Sequence, residues 1–202
     1  KNSIILLLAF TMLSLGSCTV MGTLYPLAEN ERDLVSKNEL IGRWTDIKDN
    51  SQVLIIDNVA GGNDKVYRLT LIERATNDRP NADTGYFLFN ILIIGGNYFI
   101  DSHIDNVSMF SGETRDYNDL MVPRHFLYQI IFTSSSEIAL SYPDPEQLVK
   151  LIDEKKISLR YLEIRKEDYL ILNESKELKT ALQQSLDFPS LYKDMIHLRK
   201  LE

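Results

Sequence analysis

Residues 86–101 have the sequence YFLFNILIIGGNYFID, and this stretch decides the fold. Only Asn90 interrupts the apolar run Tyr86–Ile94, which suits a long central strand with both faces covered better than a membrane span. Gly95-Gly96-Asn97 predicts a turn, and Tyr98–Asp101 is then the partner strand of a hairpin. The sequence therefore predicts a sheet organised around this hairpin.

Short apolar segments separated by turn residues continue on both sides of the hairpin. Val66–Glu73 places Tyr67, Leu69 and Leu71 on one face, and a period of two indicates a half-buried strand. Further strands are predicted at Leu40–Asp46, Gln52–Asp57, Phe126–Thr133, Glu137–Tyr142, Leu159–Arg165 and Tyr169–Leu172.

Helices are predicted in the second half of the chain. Glu146–Lys155 has leucines and an isoleucine at helical spacing after Pro143-Asp144-Pro145. Glu174–Leu186 has one apolar face, and the side chain of Asn173 or Ser175 is expected to cap it. Pro189–Met195 is interpreted as a second short helix at the end of a helical tail.

Gly42 and Trp44 stand near the start of the first strand of the main domain. This Gly-x-Trp pattern resembles the opening of the lipocalin family, in which the tryptophan closes one end of a barrel. The resemblance implies a mainly β (α+β) fold, either an antiparallel lipocalin-like barrel or a strongly curved sheet of about 8–10 strands. One inserted helix and one or two C-terminal helices would accompany it. Trp44 is expected to be a structural plug and not a ligand contact.

The first eighteen residues have the outline of a secretory signal. The apolar run Ile4–Leu13 follows Lys1 and is too short to cross a bilayer, which requires roughly 20 residues. Leu15, Gly16-Ser17 and Cys18 then resemble a bacterial lipoprotein lipobox. The resemblance implies cleavage before Cys18 and lipid attachment to its thiol. The alternative is a conventional secretory signal in which Cys18 is incidental.

Composition and charge limit the remaining possibilities. The predicted organisation is a signal peptide (1–17), a lipidated N-terminal arm (18–38) and a single β-rich domain (39–202). The arm is interpreted as a tether or a loosely packed segment, although Leu24, Tyr25 and Leu27 could still pack onto the domain. The formal charge of −7 argues against nucleic acid and against an electrostatic grip on anionic lipid. Cys18 is the only cysteine, which excludes an intrachain disulfide.

One polar cluster could carry chemistry. Asp101, His103 and Asp105 alternate and would share one face of a continued strand, where they could bind a metal. The alternative, a polar turn ending the strand, is preferred because a fourth ligand is missing. His125 is interpreted as a hydrogen-bonded structural histidine in preference to a base. No catalytic, cofactor-binding or metal-binding residues are predicted, since hydrolase, phosphate-loop and dinucleotide motifs are absent.

The order of these features also resembles that of bacterial lipoproteins without an established activity. Two function classes follow: a non-catalytic binding module with a cavity for a small apolar ligand, and an envelope interaction or structural protein without a cavity. In the second class the loops Ala75–Gly85 and Ser111–Val122 would contact a protein partner. An enzyme is the third hypothesis. The resemblance to lipoproteins implies their sorting rule, by which Thr19 in place of aspartate after Cys18 favours the outer membrane. The absence of an acidic cluster nearby then favours the face towards the periplasm over the cell surface.

Overall fold

The computed structural model describes seven segments of the chain, and within them one sheet of eleven strands and two α-helices are found. The segments are 20–49, 51–59, 63–73, 83–104, 124–165, 168–192 and 195–201. The strands are β1 (Val20–Thr23), β2 (Gly42–Asp46), β3 (Gln52–Asn58), β4 (Val66–Glu73), β5 (Asp83–Ile94), β6 (Asn97–Ile104), β7 (His125–Phe132), β8 (Glu137–Ser141), β9 (Tyr161–Arg165), β10 (Asp168–Ile171) and β11 (Met195–Leu201). The helices are α1 (Pro145–Asp153) and α2 (Ser175–Ser185).

Eight strands close into an antiparallel barrel. Their order is β2-β3-β4-β5-β6-β7-β8-β11, and β11 pairs with β2 to complete the circle. Closure satisfies the backbone hydrogen bonds of strands that would otherwise be edges. The predicted fold class, a mainly β lipocalin-like barrel with accompanying helices, is confirmed.

The central hairpin forms as predicted, with β5 extending further back than expected. Ile94 pairs with Asn97, so Gly95 and Gly96 form a two-residue turn. Both glycines have positive φ, 57° and 78°, which is the left-handed conformation that favours glycine in such turns. β5 begins at Asp83 and not at Tyr86, which moves Gly85 from the predicted loop into the strand.

The barrel encloses one hydrophobic core. Tyr67, Leu69 and Leu71 of β4 are buried in it, which confirms the predicted inward face of that strand. The Tyr67 ring stacks on the ring of Phe89 from the neighbouring strand, with 5.1 Å between centroids. Alternate residues of the strands thus fill the interior with aliphatic and aromatic side chains.

A second core lies against the outer face of the barrel wall. Leu92 and Ile94 of β5 and Phe99 of β6 are buried there, together with residues of α2 and the segment before β2. Both faces of β5 are therefore covered at Ile91 and Leu92, whereas Ile93 close to the turn is half exposed. A wall that is apolar on its outer face as well requires a second layer to cover it.

The N-terminal segment is part of this outer layer and is not a loose arm. β1 pairs in parallel with β10 and contacts β7 through the Thr23–His125 pair. Leu27 is fully buried and Leu34 almost so. The prediction of a tether or loosely packed arm is therefore wrong for residues 20–38, and the alternative in which Leu27 packs onto the domain is confirmed.

The C-terminal end also differs from the predicted helical tail. The helix α2 forms, but its N-cap residue is Glu174, and neither Asn173 nor Ser175 caps it. Pro189–Tyr192 is only a single 3-10 turn. The chain then enters β11, which lies between β2 and β8 and completes the barrel. Its outward residues His197 and Arg199 are polar, so the sequence of this strand resembles that of a polar tail.

Candidate functional site

The barrel interior holds a cavity of only about 40 Å³. Its lining is almost wholly apolar, with Ser102 and the Tyr128 side chain as the polar exceptions. Burial raises the pKa of Tyr128, which keeps its hydroxyl neutral. The lining residues are Leu40, Leu54, Ile56, Leu69, Phe89, Ile100, Ser102, Tyr128, Ile130, Ile138, Leu140, Ile196 and Leu198.

Trp44 belongs to the barrel core and does not line this cavity. Its side chain is 1% exposed, and its Nε1 donates a 2.8 Å hydrogen bond to the Leu40 carbonyl oxygen. Leu40 ends the 3-10 turn Asn38–Leu40, which leads into β2. The predicted burial of Trp44 is therefore confirmed, and its indole ties the strand to the turn before it.

Lys37 holds the segment before β2 against one end of the barrel. Its backbone amide donates a 2.5 Å hydrogen bond to the Tyr67 hydroxyl. Its Nζ lies 4.4 Å from the ring centroid of Tyr98 and 5.0 Å from that of Phe132. Hydrogen bonding to the Tyr98 side chain, with help from the Glu39 carboxylate, raises the pKa of Lys37. These contacts join the segment before β2 to side chains of β4, β6 and β7.

The structure brings together three of the four residues in the predicted polar cluster. Asp101 and His103 lie on the outer face of β6, and His125 begins β7 as the register partner of His103. The Asp101 Oδ1 atom is 2.7 Å from His125 Nδ1, and the two imidazole rings are 5.2 Å apart. The fourth residue, Asp105, lies outside the described residues.

Asp101 is 1% exposed and uses both carboxylate oxygens. Oδ1 forms a hydrogen bond with Nδ1 of His125, and Oδ2 accepts a 2.6 Å hydrogen bond from the backbone amide of Leu27. A buried carboxylate requires such partners, since an unpaired one is costly. The contacts therefore fasten the N-terminal segment to the barrel wall.

A second polar contact lies at the start of β7. Arg124 makes an ion pair of 2.5 Å with Asp168 of β10, whose side chain is buried. The Arg124 side chain crosses Gly22 of β1, where an added Cβ would lie 3.2 Å from Arg124 Cδ. Sequence reasoning missed Arg124, Asp168 and Leu27, because their partners are 44 and 74 residues away in the chain.

The chemistry available to this cluster is limited. Among the described residues, no serine, threonine or cysteine side chain hydrogen-bonds to His125, so the Asp101–His125 pair lacks an adjacent nucleophile. Within the same residues, no three histidine, cysteine, aspartate or glutamate side chains are grouped to hold a metal ion. The contacts of Asp101, His125 and Arg124 instead join β6, β7, β10 and the N-terminal segment to one another.

Cys18, the predicted lipid-attachment residue, also lies outside the described part of the chain. Among the helices that are described, none has the length and apolar character to span a membrane. Comparison of the chain with protein-family models, curated proteins and solved structures finds no match.

Proposed function

We propose that this protein is a lipid-anchored bacterial envelope lipoprotein that acts as a non-catalytic module and binds an envelope protein through its surface. The observation that supports this class is the filled barrel. Pockets for small molecules usually measure about 300–1,000 Å³. The interior cavity of about 40 Å³ is far smaller.

The packing around the cavity gives little room for enlargement. Leu69, Ile130 and Leu198 are each at least nine-tenths buried and belong to one contiguous core. Close-packed side chains of this kind resist opening, because every displaced group loses contacts with several neighbours. A ligand-sized cavity would require the barrel core to repack.

The partner surface that we propose is the end of the barrel where the predicted contact loops leave it. Glu73 pairs with Asp83, and His103 pairs with His125. Adjacent antiparallel strands therefore place the β4–β5 and β6–β7 connections at the same end. The predicted loops Ala75–Gly85 and Ser111–Val122 are largely these connections, and residues 74–82 and 105–123 lie outside the described residues.

A small apolar ligand is the second candidate function. It is favoured by the lining of the cavity, which offers aliphatic and aromatic side chains and hardly any polar group. Such a site would take only a very small molecule unless the core opened. Cavities lined in this way remain dry and accept apolar guests.

The predicted location is part of the proposal. Lipid on Cys18 would hold the protein at a membrane, Thr19 directly after it favours the outer membrane, and the absence of an acidic cluster nearby favours the face towards the periplasm. Several acyl chains hold a protein firmly, whereas one chain gives only marginal attachment. No nucleic acid is involved in this proposal, in agreement with the charge of −7.

Native mass spectrometry of the protein extracted from its own envelope tests the two candidates together. We expect a complex with a second protein and no small-molecule mass on the free protein. A Leu69→Phe variant, which adds volume at the cavity, serves as the matched control and should retain the partner. A small apolar molecule bound to the wild type and lost from this variant would instead establish the second candidate.

A further inference from the structure

Two large apolar side chains are exposed on β9. Leu162 is 53% exposed and Ile164 is 45% exposed, and they lie two positions apart on one strand, with Ile164 at a register shift against β10. In the described part of the chain β9 pairs only with β10, so it is the edge of the sheet. An exposed apolar edge is unusual, because soluble proteins protect such strands.

This edge lies close to the start of the described chain. Val20 of β1 is the register partner of Asp168 in β10, and Asp168 is the partner of Arg165 in β9. Neighbouring strands are about 4.8 Å apart, which places Val20 roughly 10 Å from the Ile164-Arg165 end of β9. Val20, the first described residue, therefore lies near the end of β9 that carries Ile164.

The length of chain before β1 limits how far the lipid anchor can be from this surface. Cys18 precedes Val20 by two residues, and two extended residues span at most about 7 Å. Anything attached to Cys18 is thus held within about 20 Å of Ile164. A lipid at Cys18 would leave no long spacer between the bilayer and the strand pair β1–β10.

We propose that the edge strand β9 rests on the bilayer surface through the exposed side chains of Leu162 and Ile164 and fixes the orientation of the domain on the membrane. This inference rests on the proposed lipid anchor at Cys18. The anchor keeps the strand near the bilayer, so inserting two aliphatic side chains removes their apolar surface from water without a separate binding step. A protein with a net charge of −7 gains no electrostatic attraction to anionic lipid, and apolar contact is the remaining source of affinity.

The depth of this contact is limited by the backbone of β9. The edge of the strand carries amide and carbonyl groups that must stay within reach of water or lipid headgroups, because the hydrocarbon core cannot satisfy them. The side chains can reach the boundary between headgroups and acyl chains, as those of interfacial helices do at a depth of about 5–10 Å. We therefore expect shallow insertion.

A single fluorescent label tests the proposal in the full-length acylated protein. Cys18 is the only cysteine, and its thiol would be occupied by lipid, so Ile164→Cys supplies one free thiol for the dye NBD. The labelled protein is reconstituted in liposomes of phosphatidylethanolamine and phosphatidylglycerol. We expect the emission to be blue-shifted and about twofold brighter than that of the same label on the unacylated Cys18→Ala protein in buffer, and to be quenched by lipids carrying a spin label near the headgroup.

Ile47→Cys is the matched control. Ile47 has the same residue type and a similar exposure, 43%, and follows β2, which five strands separate from β9. A label at this position should behave as it does in water, with liposomes or without. Equal signals at positions 47 and 164 would overturn the proposal.

The mass of the purified protein separates failure of this proposal from failure of the lipid anchor. If Cys18 carries no acyl group, both proposals are wrong. If Cys18 is acylated but the label at position 164 remains in water, only the bilayer contact is wrong. A blue shift that persists without lipid and accompanies a dimer mass would overturn it as well, since the edge would then pair with a second copy.

Discussion

The backbone amide of Leu27 donates a 2.6 Å hydrogen bond to Oδ2 of Asp101, a residue 74 positions later in the chain. Leu27 is fully buried, and Asp101 is 1% exposed. The bond joins the segment after β1 to the outer wall of the barrel. The sequence predicts a polar turn at this aspartate in preference to a metal site, whereas in the structure Asp101 lies within β6 and its contacts hold the fold together.

Replacing this carboxylate should loosen the N-terminal segment. Asp101→Ala removes the partner of both the Leu27 amide and His125, and should lower the free energy of unfolding by about 2–4 kcal/mol. Urea denaturation followed by Trp44 fluorescence measures this change. Asp101→Asn keeps an acceptor and should cost less, whereas Asp57→Ala at an exposed position should stay within about 0.5 kcal/mol of the wild type. Equal stability of Asp101→Ala and the wild type would contradict this interpretation.

Trp44 should contribute strongly to stability as a buried core residue. Trp44→Ala should lower the free energy of unfolding by about 3–5 kcal/mol, since it leaves a large cavity. Trp44→Phe retains most of the packing and should cost less. Because Trp44 is the only tryptophan, its emission in the wild type should be blue-shifted and resistant to iodide. Red-shifted emission that iodide quenches readily would place the indole in solvent and refute the prediction.

The ion pair between Asp33 and Lys179 should give stability that depends on pH. Lys179 Nζ lies 2.6 Å from Asp33 Oδ2, and this hydrogen bond lowers the pKa of Asp33. A carboxyl group whose pKa is lower in the folded state stabilises the protein above its unfolded pKa of about 3.9, and this contribution disappears as pH falls through the folded pKa. Asp33→Asn should therefore lower stability by at most about 1 kcal/mol at neutral pH, because the pair is partly exposed.

Thermal unfolding at neutral and at strongly acidic pH checks this sign. The difference between the wild type and Asp33→Asn should shrink towards zero in acid. Lys179→Met is the control. If the two side chains interact, the changes in the free energy of unfolding caused by Asp33→Asn and Lys179→Met should be non-additive when the two substitutions are combined. A difference that grows as the pH falls would rule out the assignment.

The polar cluster around Asp101 and His103 should not bind zinc tightly. Both oxygens of Asp101 already accept hydrogen bonds, so a metal would have to displace the Leu27 amide or His125. Structural zinc sites also require four ligands. Titration calorimetry of the metal-free protein with zinc should show no binding of one equivalent. Such binding, abolished by His103→Ala, would prove the prediction wrong.

Cys18→Ala should release the protein from membranes into the soluble envelope fraction. The change removes the only thiol, and two exposed aliphatic side chains on β9 are too few to retain the domain alone. Fractionation of cells grown with radiolabelled palmitate measures both attachment and labelling. If the variant stays with the membrane and the wild type carries no label, the lipid anchor is disproved.

The strands could be predicted where the pattern is local. Tyr67, Leu69 and Leu71 alternate with polar residues in β4, and the two glycines at 95 and 96 supply the conformation that the hairpin turn requires. Strand β11 was not predicted, since Ile196 and Leu198 are its only apolar residues at core positions before the chain end. This segment forms a strand because it pairs with both β2 and β8, and the gap between those two strands exists only in the assembled barrel.

The sequence by itself determined the secondary-structure period of most segments, the turn of the central hairpin and the residues that could carry charge or lipid. Only the tertiary structure decided that the barrel closes, that its interior is filled and that Asp101 forms hydrogen bonds with Leu27 and His125. The reason is physical. Side-chain periodicity reflects which face of a segment avoids water, whereas closure, cavity volume and long-range hydrogen bonds depend on how distant segments fit together.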